Sequence, residues 1–267
     1  MIPLSDADVY RYRRPYVTMG LIALNALVFL YELTLGSVET TQFFYRWGLI
    51  PIKLTQGVDE FGQVCSGQLV ETTLGLVCRG TVVTLEAPNP AWSTVLTSMF
   101  IHGGFMHLIG NMVYLWVFGD NIEDRLGHVK YLLFYLATGV AATLTQVAIN
   151  MDSQVPNIGA SGAIAGVLGA YLLLFPYSRI NTLVIFYFIT VMRVPALFLL
   201  GFWFFVVQNL FQGLGSLGAA ADTGGVAYWA HIGGFAAGVL ATALYLKATG
   251  QPVWPSYQRL PWRWEKR

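Results

Sequence analysis

The sequence predicts an all-α polytopic membrane protein with six transmembrane helices and both termini in the cytoplasm, and three observations carry that reading. The 267 residues are 55% hydrophobic and only 11% charged, with a mean hydropathy of +0.57, whereas a soluble domain carries about 25% charged residues. Six apolar segments, at 17–35, 96–118, 129–149, 160–176, 195–213 and 227–247, each approach the ~20 residues that a spanning helix needs. With the N-terminus inside, only Arg46, Lys53 and Arg79 of the 15 Lys and Arg residues fall on the far side, the asymmetry that the positive-inside rule demands. A net charge of +1 gives no reason to propose nucleic acid as a partner.

The elements follow in order. Residues 1–16 are polar (Asp6, Asp8, Arg11, Arg13, Arg14) and form a cytoplasmic N-terminal segment. The apolar run after them has no small-residue cleavage site before Glu32, so it reads as a retained first span and not as a cleavable signal. Residues 36–95 form one large extracytoplasmic loop containing both cysteines, Cys65 and Cys78. On an oxidising face these form a disulfide or remain two free thiols, and spacing alone does not choose. Phe43, Phe44, Trp47 and Trp92 place part of that loop at headgroup depth. Residues 180–192 (INTLVIFYFITVM) are apolar but bounded by Arg179, Arg193 and Pro195. They read as an interfacial connection, because a seventh span would destroy the charge asymmetry. The helical domain thus covers 17–247, and 248–267 is a cytoplasmic tail.

Polar groups inside spans are expensive and mark function by default. The second segment carries His107 and Asn111 four residues apart, hence on one helix face, with His102 a turn and a half earlier. The fourth opens on Gly-Ala-Ser-Gly with Ser161, and the sixth has His231 near its outer end. Three segments therefore bring polar side chains to one depth in the outer half. Gly162 and Gly166, and likewise Gly234 and Gly238, form small-xxx-small pairs that let helix backbones approach closely in lipid. That approach would put Ser161 and His231 within hydrogen-bond reach.

A serine hydroxyl becomes a nucleophile when a neutral imidazole takes its proton. The oxyanion that follows needs donors, and three are on offer: the Ser161 amide at a helix N-terminus and the side chains of His107 and Asn111. No acidic residue lies at this depth, which predicts a dyad; Asp152 and Asp222 in outer loops are the remaining candidates for a third member. Each signal has a plain structural alternative, since serines, histidines and asparagines also tie helices together in lipid. His102, His107 and His231 together could also hold a metal. Glu123 and Arg125 read as a helix-end cap and ion pair, His128 as solvated, and Gln208 has no assigned role.

Four stretches, WGLIP (47–51), TSMFIHGGFMHLIGNMVYLWVFGDNIEDRLG (97–127), GASGAIAGVLGAYL (159–172) and AHIGGFAAG (230–238), together resemble the rhomboid family of intramembrane serine proteases, bacterial type. The resemblance implies a six-helix rhomboid bundle with Ser161 as nucleophile and His231 as general base. It implies an oxyanion site from His107, Asn111 and the Ser161 amide, a structural or water-ordering role for His102, and Gly159 and Gly162 flanking the nucleophile. Glu123 and Arg125 match a structural motif on the cytoplasmic side, and Gln208 falls in the helix bordering the lateral substrate entrance. No metal or cofactor is implied. The implied partners are single-span membrane proteins cut near the outer face within the lipid bilayer, and the implied location is a bacterial inner membrane. Two features depart from the family pattern: an insertion of roughly 35 residues at 55–90 and the small Ala165, where some relatives place an aromatic ring against the catalytic histidine. The alternative is a catalytically inactive relative that binds membrane clients. A transporter is disfavoured because the polar residues do not continue inward and no inverted repeat is visible.

Overall fold

The structure, a computed structural model, describes residues 1–9, 12–72, 75–185, 189–216 and 226–254. Arg11, Asp222 and most of the 248–267 tail lie outside the described residues. The chain is mostly helical. Among the described residues, three helices are long and apolar enough to cross a membrane: His128–Ile149, Leu197–Ser216 and Tyr228–Ala248. Two shorter apolar helices, Tyr16–Glu32 and Ser161–Leu174, pack among them.

In chain order the helices are α1 (Tyr16–Glu32), α2 (Ser37–Trp47), α3 (Pro51–Gln56), α4 (Ala91–Thr97), α5 (Phe105–Tyr114), α6 (Asp120–Leu126), α7 (His128–Ile149), α8 (Ser161–Leu174), α9 (Phe211–Ser216) and α10 (Tyr228–Ala248). A π-wound stretch, Leu115–Gly119, joins α5 to α6, and a second, Leu197–Leu210, runs into α9. The second apolar segment does not begin its helix at residue 96. The chain makes a 3₁₀ turn at Ser98–Phe100 and enters α5 only after Gly103 and Gly104, the latter at φ 156°. His102 consequently stands on the connection before the helix and not on the helix itself, a turn and a half before His107.

The chain is not all-α. Strands β1 (Ile2–Asp6), β6 (Arg179–Ile185) and β7 (Ile189–Pro195) form an antiparallel sheet in the order β1-β6-β7. Within the stretch 180–192, β6 and β7 are thus antiparallel partners, which β-branched residues such as Ile180, Thr182, Val184 and Val191 favour. In the large loop, β2 (Glu60–Cys65) pairs with β5 (Val82–Glu86), and β3 (Gln68–Thr72) with β4 (Gly75–Arg79). Cys65 and Cys78 are joined by a disulfide across this insertion.

The centre of the molecule is α8, buried along nearly its whole length and packed chiefly on α10 and α7. Outward-facing leucines on α1 (Leu24, Leu27, Leu30), α7 (Leu132, Leu133, Leu144) and α10 (Leu240, Leu244) stay exposed. An apolar belt around a small-residue core is how a bundle dissolves in hydrocarbon, where close backbone packing replaces the hydrophobic effect as the cohesive force. The two glycine pairs serve different contacts. Side chains at Gly234 and Gly238 would run into the carbonyls of Gly162 and Gly166, so α10 lies backbone-to-backbone on α8. A Cβ on Gly162 or Gly166 would instead meet Ala142 or Thr138 of α7.

Candidate active site

The site begins at the turn that opens α8. Asn157 and Leu49 exchange backbone hydrogen bonds, at 3.1 and 2.7 Å, and the Gly159 N–H donates to the Ser98 carbonyl at 2.8 Å. The buried WGLIP residues Leu49 and Ile50 therefore hold the strand of chain that leads into Ser161. Gly159 has φ 121°, and a Cβ there would sit 2.7 Å from His107 Cε1 and 2.8 Å from His107 Nε2. Only glycine lets the loop make this turn while the imidazole lies against it. Ser161 follows as the first residue of α8, where backbone N–H groups lack intrahelical acceptors.

His231 stands in the first turn of α10. The preceding amide, Ala230 N–H, donates to Gln146 Oε1 of α7 at 3.1 Å, and the glycine contacts bring α10 onto α8. As a result His231 Nε2 lies 2.8 Å from Ser161 Oγ. Its other ring nitrogen, Nδ1, lies 2.7 Å from Oδ1 of Asn209. The Phe204 ring is 6.2 Å from the His231 ring, with the planes tilted by 33°.

The third wall is α5 and the loop before it. The Gly103 N–H donates to His107 Nδ1 at 3.4 Å. A backbone amide can only donate, so in the neutral ring the proton sits on Nε2, the atom facing Gly159. The Asn111 side-chain amide is 3.0 Å from His102 Nε2, and the Glu32 carboxylate accepts from the His102 backbone N–H at 3.2 Å. Asn111 and His102 are buried, whereas Ser161, His107 and His231 are only partly so. The arrangement therefore has a reachable hydroxyl, a base bonded to it, and donors beside them resting on a buried polar layer.

Several residues sit elsewhere than the sequence suggested. Glu123 and Arg125 do not pair with each other. The buried Glu123 carboxylate accepts from Val17 N–H and Thr18 N–H, each at 2.8 Å, and from the Thr18 hydroxyl at 2.7 Å. It is thereby the N-terminal cap of α1, whose own Pro15 offers no side-chain acceptor. His128 is not merely solvated, for its Nδ1 lies 2.6 Å from Glu123 Oε1. Arg125 reaches Gln251 instead. Asp152 accepts from Gln56 at 2.6 Å, in the connection between α7 and α8. The three histidines do not converge on one point, and no metal-holding group of three His, Cys, Asp or Glu occurs among the described residues.

Asn209 is the residue that sequence reasoning missed. Its neighbour Gln208 is exposed while Asn209 is 2% exposed. The signal was available, since an asparagine within a strongly apolar segment is expensive, but the sequence reading singled out only its neighbour Gln208.

Residues 89–248 match the family described as Rhomboid domain, and the chain belongs to the rhomboid family of membrane proteins. It is 32% identical over 151 residues to Rhomboid protein 1, mitochondrial, of Saccharomyces cerevisiae, covering 55% of this chain and 40% of that protein. It is 29% identical over 169 residues to Rhomboid protease GluP of Bacillus subtilis, covering 63% and 26%. It is 34% identical over 84 residues to Rhomboid-like protein 11, chloroplastic, of Arabidopsis thaliana, covering 32% and 30%. The chain spans less than half the length of these relatives, which come from a bacterium and from two organelles.

Proposed function

We propose that this chain is an intramembrane serine endopeptidase in which Ser161 is the nucleophile and His231 the general base. One observation carries the reading: across the α8–α10 contact, His231 Nε2 and Ser161 Oγ are 2.8 Å apart, within the 2.6–3.2 Å that a base–nucleophile pair requires. Ser161 Oγ attacks the scissile carbonyl carbon as its proton passes to Nε2. The oxyanion is met by His107 Nε2–H, the second N–H of the Asn111 amide and the Ser161 backbone N–H. Nε2 then protonates the leaving amine, and water, activated by the same nitrogen, hydrolyses the acyl ester. Neither metal nor cofactor enters this sequence. Gly159 and Gly162 keep the turn small, and His102 supports Asn111 from behind.

The proposed topology has six spans: α1, α5 through α6, α7, α8, the π-wound stretch with α9, and α10. Both termini are cytoplasmic and the disulfide-bearing insertion lies outside. With 14 residues, α8 rises about 21 Å at 1.5 Å per residue, short of the ~30 Å hydrocarbon core. Ser161 at its N-terminus would thus open inside the membrane but near the outer face. The substrates on this reading are single-span membrane proteins cut near that face and approaching from the bilayer, in a bacterial inner membrane. The outer end of the fifth span would cover the site; most of the 213–228 connection, the other candidate cover, lies outside the described residues.

The test is cleavage of single-span substrates in proteoliposomes by wild type, Ser161→Ala and His231→Ala, with and without chelator. The expected result is wild-type cleavage indifferent to chelator and abolished in both variants. Residual cutting by Ser161→Ala would overturn the assignment. Wild-type inactivity on several permissive substrates would favour a client-binding rhomboid without catalysis.

A further inference from the structure

We propose that Asn209 is the positioning residue of this site, holding the His231 ring in the tautomer and plane that leave Nε2 free to take the Ser161 proton. The proposal rests on the protease reading above, but the geometry it uses is independent of that reading. The Asn209 amide is fixed from behind: Nδ2 donates to the Phe204 carbonyl at 2.8 Å. A carbonyl can only accept, so the amide cannot be flipped, and Oδ1 is the atom that faces His231 Nδ1 at 2.7 Å. Oδ1 in turn can only accept, so Nδ1 carries the ring proton. Nε2 of the neutral ring is then bare and accepts from the Ser161 hydroxyl at 2.8 Å.

Three hydrogen bonds thus run in series from the Phe204 carbonyl through Asn209 and His231 to Ser161. Each sets the donor or acceptor sense of the next. The winding of Leu197–Leu210 enables the first, because the side-chain bond from Asn209 closes on the residue five positions earlier, in register with a π-helix. The Phe204 ring faces the same imidazole, with ring centroids 6.2 Å apart. The π-wound helix therefore supplies both the hydrogen bond and the aromatic support for a base carried by α10. A neutral amide orients the imidazole as the carboxylate of a triad does, without placing a full negative charge in an apolar bundle, where an unpaired carboxylate is costly.

The full-length chain, in detergent and in proteoliposomes, is compared as wild type, Asn209→Ala and Asn209→Asp. Cleavage kinetics, thermal unfolding and nitrogen-15 NMR of labelled histidine are followed. The labelled spectrum also separates His231 from His102 and His107, the other imidazoles of the site. Asn209→Ala is expected to lower kcat by about 10- to 100-fold with KM within about twofold, because base orientation matters only as the proton moves. Its His231 should lose the Nδ1–H signal. Asn209→Asp is expected to recover most of kcat and to move the acid limb of kcat/KM upward by about one pH unit or more, because an adjacent carboxylate favours the imidazolium. Wild-type kcat with a retained Nδ1–H in Asn209→Ala overturns the proposal, as does an acid limb that Asn209→Asp leaves in place. A wild-type His231 protonated only at Nε2 overturns it without any variant. If wild type cleaves nothing, the protease reading fails, and the NMR tautomer alone then supports or overturns the role of Asn209.

Discussion

Replacing Gly159 by alanine tests the tightest contact in the site. The backbone there has φ 121°, and the new methyl would lie 2.7 Å from His107 Cε1 and 2.8 Å from Nε2, with the Asn111 amide at 3.8 Å. Holding a non-glycine residue in such a conformation costs roughly 1–3 kcal/mol. Relief of the clash requires the imidazole to move, because the loop is pinned by the Gly159 N–H bond to Ser98 and the Asn157–Leu49 bridge. Losing an aligned oxyanion donor costs ~10²–10³ in kcat. The expected phenotype is thus a kcat lower by roughly two orders of magnitude, a KM nearly unchanged, and a modest loss of stability. Proteoliposome cleavage of a single-span reporter measures the first two, and denaturant unfolding in detergent the third. The double variant Gly159→Ala/His107→Ala sharpens the test. If the damage runs through the imidazole, the double variant is no slower than His107→Ala alone, since coupled residues do not add. A Gly159→Ala enzyme with wild-type kcat, or a double variant whose losses multiply, would refute the reasoning.

Three other perturbations follow from the same structure. Glu123→Ala leaves the Val17 and Thr18 amides without their acceptor, and at about 1–3 kcal/mol for an abandoned buried donor the unfolding midpoint in detergent should fall sharply; an unchanged midpoint would deny Glu123 its role as the α1 cap. Burial raises the Asp6 carboxyl above its ordinary 3.8, against the hydrogen bonds it accepts from Tyr171, Asp8, Val9 and Ser178. The stability this group contributes is therefore full below pH 3.8 and is lost as pH rises through the folded-state value, so unfolding curves taken across mildly acidic pH should decline less steeply for Asp6→Asn than for wild type. Reducing Cys65–Cys78, which closes a loop of sequence separation 13, removes a constraint of about 3 kcal/mol on the insertion; proteolysis within 55–90 should accelerate while reporter cleavage in proteoliposomes holds its rate.

The membrane class, the apolar segments and the family were legible in the sequence because they depend on local composition and on spacing along one helix. A glycine at every fourth position is a property of a single face, so the close approach of α10 to α8 could be anticipated from residues 234–238, whereas the face of 162–166 turns out to meet α7. The candidate serine, histidines and asparagine stood out for a related reason, being polar in stretches where polarity is expensive. Contacts between elements distant in the chain were not legible. Glu123 lies 105 residues from Thr18, and nothing local distinguishes a carboxylate that caps another helix from one that pairs with a nearby arginine. The β6–β7 pairing was not legible either, because charge counting excludes a span across 180–192 without choosing among the alternatives to one. Asn209 and Gln208 present the same amide chemistry one residue apart, and which of them faces the bundle depends on how tightly Leu197–Leu210 is wound. That stretch packs against α10 and α8, so what stands behind His231 depends on contacts between elements far apart in the chain.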